Sequence, residues 1–142
     1  MRALGIDHGD RRIGVAISDE SKTLARPLAV IRGDATREAF DALVKLIEQA
    51  VAGDGSLDLI VVGLPKHLDG SPHERTGRVT DFVTRLHDRT SIPVVTEDER
   101  LSSREAESRL AMFRKSWRER KALLDAASAA VILQDYLDRT KE

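Results

Sequence analysis

One short apolar run, Leu59-Ile60-Val61-Val62, constrains the fold of this chain more than any other feature of its sequence. The run has no polar interruption, is rich in β-branched residues and is stopped by Gly63 and Pro65. Such a pattern is typical of a strand that is buried on both faces, and strands of this kind occur mostly in parallel sheets. The run therefore predicts an α/β protein with helices on both sides of a central sheet.

Three further segments near the N-terminus predict an antiparallel meander. Apolar residues alternate with small or polar ones in segments 4–6 and 13–17, and the turn His8-Gly9-Asp10-Arg11 joins these two strands as a hairpin. A third strand is predicted at 27–31. One more strand is predicted to open at Pro93-Val94-Val95.

Helical spacing of apolar residues recurs four times. The first stripe spans 40–51, and the second follows a capping-box pattern at 71–74. The third follows a capping-box pattern at 102–105 and continues to Trp117, and the last helix is predicted at 124–137. The order β-β-β-α-β-α-β-α-α predicts a mixed five-stranded sheet, three antiparallel strands and then parallel ones, flanked by helices.

The composition excludes several classes of protein. The 142 residues include no cysteine, which excludes a disulfide scaffold, thiol catalysis and thiolate metal sites. The apolar runs are too short to cross a bilayer, and the N-terminal segment lacks the pattern of a signal peptide. We therefore expect a single domain over residues 1–142, located in the cytoplasm and without a membrane partner.

The net charge of −1 conceals a basic stretch. Between Arg100 and Lys121 there are eight basic and three acidic side chains, a net charge of +5, so the rest of the chain carries −6. Within it, segment 112–121 mixes basic side chains with Phe113 and Trp117. Such a mixture binds phosphates through charge and can stack on unpaired bases. The alternative is a solvated helix whose two aromatic side chains pack on the core.

Acidic residues stand where predicted strands end and a predicted helix begins. Asp7 follows the first strand, Asp98 and Glu99 close another, and Asp125 opens the last helix. Strand ends of an α/β sheet gather at one edge, where carboxylates repel one another unless a divalent cation joins them. Oxygen ligands favour Mg²⁺ or Mn²⁺, and two such ions about 4 Å apart can activate water against a phosphodiester. The alternative is that each acid is a turn residue, a helix cap or part of a solvated loop.

The first hairpin offers two further candidates. His8 adjoins Asp7 and is a candidate for contacting phosphate or moving a proton, whereas the other histidines are expected on the surface. The glycines of this hairpin, Gly5, Gly9 and Gly14, allow close approach of a phosphate to the backbone. That feature also suits a nucleotide-binding fragment of the actin and hexokinase type, which requires a second domain.

Four motifs in a fixed order give this chain a resemblance to the YqgF/RuvX family. They are Gly5-Ile6-Asp7 with 12–19, 61–65 with 69–71, 98–103 with Glu105-Ala106, and 125–130. The resemblance covers nearly the whole chain. It implies an RNase H-like fold and a metal-dependent nuclease, linked both to maturation of the 5′ end of pre-16S ribosomal RNA and to Holliday-junction resolution. By position it implies metal ligation by Asp7, Glu99 and Asp125, with Asp98 competing for the second place, and a phosphate contact for Arg100.

The chain departs from the family pattern at three places. Asp10 adds an acid to the first hairpin, and Glu97 makes the third motif unusually acidic. RuvC-type resolvases carry an acid at the end of the fourth strand, where this chain has Gly63-Leu64-Pro65. The metal site is therefore predicted to differ from theirs.

The leading hypothesis is a hydrolase that uses Mg²⁺ or Mn²⁺ to cleave structured nucleic acid, first of all the 5′ end of pre-16S rRNA. Branched DNA is the alternative substrate, and its symmetric cleavage would require a two-fold homodimer. A non-catalytic nucleic-acid-binding module is the alternative of another class, with a steep salt dependence and no metal requirement. The predicted catalytic and metal-binding residues are Asp7, Glu99 and Asp125, with Asp98 as a further metal candidate, and the predicted nucleic-acid-binding residues are Arg12, Arg100, Arg114, Lys115 and Arg118.

Overall fold

A computed structural model describes residues 1–9, 11–33, 37–53, 56–64, 76–98 and 117–140, the side chains of 117–125 excepted. Its strands are β1 (Arg2–His8), β2 (Arg12–Ser18), β3 (Ala25–Arg32), β4 (Leu57–Leu64) and β5 (Val94–Asp98). Its helices are α1 (Arg37–Ala52), α2 (Thr76–Arg89) and α3 (Trp117–Thr140). Within these ranges, every helix is too short or too polar to pass through a bilayer.

The strands form one mixed sheet in the order β3-β2-β1-β4-β5. The β1–β2 and β2–β3 pairs are antiparallel, whereas β1, β4 and β5 run parallel to one another. The prediction of a mixed five-stranded sheet is therefore confirmed. Strands β1, β3, β4 and β5 all end at the edge where β2 begins, and we call this edge of the sheet the carboxyl edge.

The apolar run in β4 is buried on both faces, as predicted. Ile60 and Val62 pack in a core beneath α1 and α2, while Val61 packs in a second core beneath α3, and all three are fully buried. Burying each such side chain contributes about 1.5–3 kcal/mol, which explains why this strand lies inside the sheet. We refer to the two sides of the sheet as the α1/α2 face and the α3 face.

The last helix differs from the prediction. It begins at Trp117 and ends at Thr140, whereas the sequence pattern predicted 124–137 and assigned Trp117 to the preceding helix. The segment from Trp117 to Leu124 contains no glycine or proline and is made mostly of good helix formers, so nothing local stops the helix from extending backwards. The predicted capping boxes at 71–74 and 102–105 lie outside the described residues.

The turn between β2 and β3 is held by Asp19. Its carboxylate accepts hydrogen bonds from the backbone N–H groups of Thr23, at 2.8 Å, and Leu24, at 3.2 Å. The hydrogen bond from Thr23 is the main cause of a pKa for Asp19 below its ordinary value. This pKa is lower in the folded chain than in the unfolded one, so the ionised carboxylate stabilises the fold at pH values above the ordinary pKa. The stabilisation is lost as the pH falls through the lowered pKa.

Replacement of Asp19 by alanine should therefore lower the melting temperature at neutral pH, with a difference from the wild type that shrinks in acid. Thermal unfolding followed by circular dichroism at neutral pH and at pH values below the ordinary aspartate pKa measures that difference. Asp88→Ala, which removes an exposed carboxylate from α2, is the matched control and should lower the melting temperature at neutral pH less than Asp19→Ala does. A difference for Asp19→Ala that stays constant with pH would contradict this account of the turn.

Candidate active site

Asp7 lies half-buried at the end of β1, the central strand of the sheet. The residues before it alternate between the two cores: Ala3 packs beneath α3, whereas Leu4 and Ile6 pack beneath α1 and α2. Because side chains alternate along a strand, Asp7 belongs to the α3 face. A carboxylate is thus placed on that face of the carboxyl edge.

Both strands next to Asp7 carry glycine at its level. Gly14 is its antiparallel partner on β2. On β4, Gly63 directly follows Val62, which is the parallel partner of Ile6. Neither neighbouring strand therefore has a side chain directly beside the carboxylate of Asp7.

Helix α3 crosses β1 at Gly5. A Cβ atom at Gly5 would lie 2.7 Å from the Cβ of Leu133 and 2.8 Å from the carbonyl oxygen of Ala129, so only glycine allows this approach. On the helix, Asp125 precedes Ala129 by about one turn, which is about 6 Å along the axis. On the strand, Asp7 lies two residues beyond Gly5, which is about 7 Å. Two of the predicted metal ligands therefore belong to elements that meet at Gly5, although the side chain of Asp125 lies outside the described residues.

The end of β5 brings one acid to the face of Asp7. Val95 packs beneath α3, so the alternation of the strand assigns Glu97 to the α3 face and Asp98 to the α1/α2 face. The carboxylate of Glu97 forms a hydrogen-bonded ion pair with the guanidinium of Arg139. Of the two described acids in this motif, Glu97 shares the face of Asp7, and Asp98 does not.

The Glu97–Arg139 pair was not foreseen from the sequence. Its members are 42 positions apart, and no local pattern connects them. The side chain of Glu97 is only 11% exposed, and its hydrogen bond raises the pKa of Arg139 above its ordinary value. The guanidinium neutralises this carboxylate in place, so Glu97 adds no uncompensated negative charge to the carboxyl edge.

Arginines gather at the same edge. Arg12 begins β2 and Arg32 ends β3, and the two are antiparallel partners. Ala16 packs beneath α3, and the alternation along β2 assigns Arg12 to that face together with its partner. Arg11, in the turn before β2, is exposed. Arg12 is a predicted nucleic-acid contact, whereas nothing in the sequence selects Arg32, because only the register of β3 against β2 brings it beside Arg12.

His8 occupies a different environment from the one its position suggested. Its ring is 6% exposed and stacks on Phe82 of α2, with ring centroids 4.5 Å apart. The side chain thus faces the α1/α2 core, away from the face that carries Asp7. A contact between His8 and substrate phosphate is therefore not supported, because the stacked ring is part of the hydrophobic core.

The structure describes only some of the remaining predicted site residues. Among the residues that the structure describes, no group of three or more acids and histidines is close enough to hold a metal ion. Arg118 lies in the first turn of α3, but its side chain is outside the description. The roles predicted for Glu99, Arg100, Arg114 and Lys115 stay predictions, since these residues lie outside the described ranges.

Comparison with known proteins gives a consistent family match. Residues 1–139 match the model of the RuvX family, which is described as Holliday junction resolvase. A protein of Caldanaerobacter subterraneus subsp. tengcongensis is 43% identical over 142 residues, with 99% of each chain covered. A protein of Paraburkholderia phymatum is 42% identical over 135 residues, which cover 95% of this chain and 83% of the relative. Both relatives bear the name "Putative pre-16S rRNA nuclease".

Solved structures with a similar fold include two resolvases. The fowlpox virus resolvase, in complex with its substrate Holliday junction DNA, superposes with a TM-score of 0.60 at 11% identity, with both chains covered completely. RuvC of Thermus thermophilus, in complex with a Holliday junction substrate, gives 0.54 at 14% identity, with 99% of this chain and 97% of RuvC covered. At these identities the similarity concerns the fold alone, and it confirms the RNase H-like fold that the family resemblance implied.

Proposed function

Because this chain belongs to the RuvX family and is thereby a nuclease, we propose that it hydrolyses phosphodiester bonds at the 5′ end of pre-16S rRNA. The observation that carries the proposal is the position of Asp7, half-buried at the end of the central strand between two glycines. Relatives that match nearly the whole chain at about 40% identity share the pre-16S rRNA name, and this favours RNA as the substrate. The proposed site of action is the cytoplasm, where bacterial ribosomal precursors are processed.

The donor chemistry of the carboxyl edge suits a hard divalent cation. A carboxylate beside glycines, in a chain without cysteine, offers oxygen ligands and space, which Mg²⁺ and Mn²⁺ require. We propose that Asp7, Glu99 and Asp125 would hold the ions, and that Asp98 is disfavoured because its strand position assigns it to the opposite face. Bound there, such ions would lower the pKa of water and stabilise the leaving oxygen of the phosphodiester.

The arginines of the carboxyl edge are proposed to position the substrate. Arg12 and Arg32 are cross-strand partners on the face of Asp7, and a guanidinium can hold two oxygens of one phosphate. In this proposal the two arginines would hold the polyanion next to the carboxylate of Asp7.

Replacement of Arg32 by glutamine is expected to raise KM about fivefold and to leave kcat within about twofold, because the guanidinium binds substrate without touching the reacting atoms. The slope of log affinity against log salt should fall by about 0.7–0.9, the value for one lost phosphate contact. Steady-state cleavage of a labelled precursor at several salt concentrations measures both quantities. Arg26→Gln, at the other end of the same strand, removes an equal charge and should change neither. Equal effects of the two variants would contradict the proposed role of Arg32.

A parallel cleavage assay tests the proposed function. The substrates are a fragment spanning the 5′ end of pre-16S rRNA, an unstructured RNA of equal length and a synthetic four-way DNA junction, each with Mn²⁺ and with a chelator. We expect cleavage of the precursor only with metal, and slower cleavage of the unstructured RNA. Binding of all three without cleavage would favour the non-catalytic module, and cleavage unaffected by the chelator would contradict the metal mechanism.

Resolution of branched DNA is the second candidate function, favoured by the description of the matching family. Symmetric cleavage of a four-way junction requires two active sites related by a two-fold axis, and therefore a homodimer. Trimming of an RNA end makes no such demand. Preferential cleavage of the junction in the same assay, together with a dimeric mass in solution, would support this candidate over the first.

A further inference from the structure

A polar cleft of about 660 Å³ lies between α1 and α2, on the face of the sheet opposite to Asp7. Its lining contains four basic and two acidic side chains around the ring of Phe40. The acids are Asp41 and Glu48, so the lining carries an excess of two positive charges. None of these residues belongs to the site described above. The basic residues are Arg37, Lys45, Arg85 and Arg89.

Two of the cleft arginines are held in place by one aromatic ring. The guanidinium carbons of Arg85 and Arg89 lie 4.5 and 5.5 Å from the centroid of Phe40, whose side chain is itself buried. A stacked guanidinium can still donate hydrogen bonds from the N–H groups at its edge. Because stacking already restricts the rotamers of the side chain, a phosphate contact costs less conformational entropy. The two cations are therefore preorganised within about 10 Å of each other.

The charge in the cleft is only partly compensated. Arg89 pairs with Asp41 at 3.7 Å, a distance and exposure at which the pair is weak. Within the described part of the chain, Arg37, Lys45 and Arg85 have no carboxylate partner. A polyanion is the ligand that such a lining complements, and a phosphodiester backbone supplies charge at regular intervals along a groove.

A chain of ring contacts gives the distance between the cleft and the carboxyl edge. Phe40 meets Phe82 edge to face at 6.0 Å, and Phe82 stacks on His8 at 4.5 Å. These separations place the guanidinium of Arg85 within about 15 Å of the His8 ring, which adjoins Asp7.

A second connection follows the backbone. Arg32, at the carboxyl edge, and Arg37, in the cleft, are five positions apart in the chain, so their Cα atoms lie no more than about 18 Å from each other. The arginines of the two faces therefore lie at neighbouring positions around one end of the sheet.

We propose that the α1–α2 cleft is a second binding site for the RNA backbone, which holds the strand that continues past the carboxyl edge. This inference rests on the proposed function, since it takes the nucleic acid to be the same molecule that is cleaved beside Asp7. The cleft contributes affinity for long or structured substrates, and it contributes nothing to short ones that end at the carboxyl edge. It thereby gives the enzyme a preference for precursor RNA over short fragments.

Binding of labelled RNA, followed by fluorescence anisotropy in the presence of a chelator, tests the proposal without cleavage. The variant Arg37→Gln/Arg85→Gln removes two positive charges from the cleft. Its matched control, Arg26→Glu, makes the same change in net charge on β3. We expect the cleft variant to weaken binding of a long structured RNA about tenfold and to lower the slope of log affinity against log salt by about 1.4–1.8, the range for two lost phosphate contacts. The control should change affinity less than about twofold.

Two further measurements separate a binding role from a structural one. Arg37→Lys/Arg85→Lys keeps the charge but loses the planar stacking group, and it should recover most of the affinity. A four-nucleotide RNA should bind the wild type and the cleft variant equally. Unfolding curves of both variants show whether the fold is retained.

The outcomes distinguish this inference from the proposed function. Equal binding by the cleft variant and the control would overturn the inference, leave the nuclease proposal intact and point to another ligand, such as an acidic protein segment. Cleft-dependent binding without cleavage under any metal condition would overturn the proposed function, whereas the cleft would still be a binding site for the RNA backbone.

Discussion

Replacing Asp7 by asparagine is expected to reduce the rate of cleavage by about 10³-fold or more, while leaving the fold and the affinity for substrate nearly unchanged. The substitution keeps the size and planar shape of the side chain but removes the negative charge with which a carboxylate ligand binds a divalent cation. A loss of about 4 kcal/mol of transition-state stabilisation corresponds to this change in rate. Single-turnover cleavage of the pre-16S fragment with saturating Mn²⁺ measures it.

Controls make this result specific to the carboxyl edge. Asp88→Asn removes a carboxylate from an exposed position on α2 and should cleave at the wild-type rate. Anisotropy with the same RNA should give an Asp7→Asn dissociation constant within about threefold of the wild type. Wild-type turnover by a pure preparation of Asp7→Asn would exclude this residue from the reaction, and with it the proposed metal site.

Replacing Gly5 by alanine should destabilise the fold by about 2–3 kcal/mol, because the added methyl has no space beneath α3. It would lie 2.7 Å from one side-chain carbon and 2.8 Å from a helix carbonyl oxygen, so the backbone of α3 must shift away from the sheet. A decrease of about 6–10 °C in melting temperature is expected for a chain of this size. Thermal unfolding by circular dichroism measures the change.

The same helix carries Asp125, so Gly5→Ala should also impair cleavage more than the loss of stability explains. At a temperature where the variant is still fully folded, we expect kcat to fall about tenfold, because ligands displaced by a fraction of an ångström no longer fit the ion. Gly77→Ala is the matched control: a Cβ there meets no atom within 4 Å, and alanine suits a helix, so stability should stay the same or increase slightly. A neutral Gly5→Ala would contradict the close approach of α3 to β1.

The sequence was sufficient for the elements whose pattern is local. Alternation in β1 and β2, with a turn between them, predicted the hairpin, and the uninterrupted run in β4 predicted a strand buried on both faces. It also predicted Asp7 at a strand end, because an acid that directly follows apolar alternation has no place in either core. The family resemblance added the RNase H-like fold, which the structural comparisons confirm.

Local patterns failed where no local signal marked a boundary and where the answer depended on a distant partner. The start of the last helix was placed seven residues too late, because no local signal marks a boundary between Trp117 and Leu124. The faces of Glu97 and Asp98 depend on where β5 begins, since a shift of one residue exchanges the two faces of a strand. The positions of Arg139 beside Glu97 and of Arg32 beside Arg12 could not be predicted for a related reason, because each pair meets only through the tertiary fold.

Taken alone, the order of residues determined which segments become strands and helices and which acids stand at strand ends, because hydrophobic periodicity and turn chemistry act over a few neighbouring residues. Only the tertiary structure decided which charges meet. The register of β3 against β2 pairs Arg12 with Arg32, and the packing of α2 against α1 places Arg85 and Arg89 over one ring. These contacts are set by the burial of apolar surface across the whole chain, which no short stretch of sequence contains.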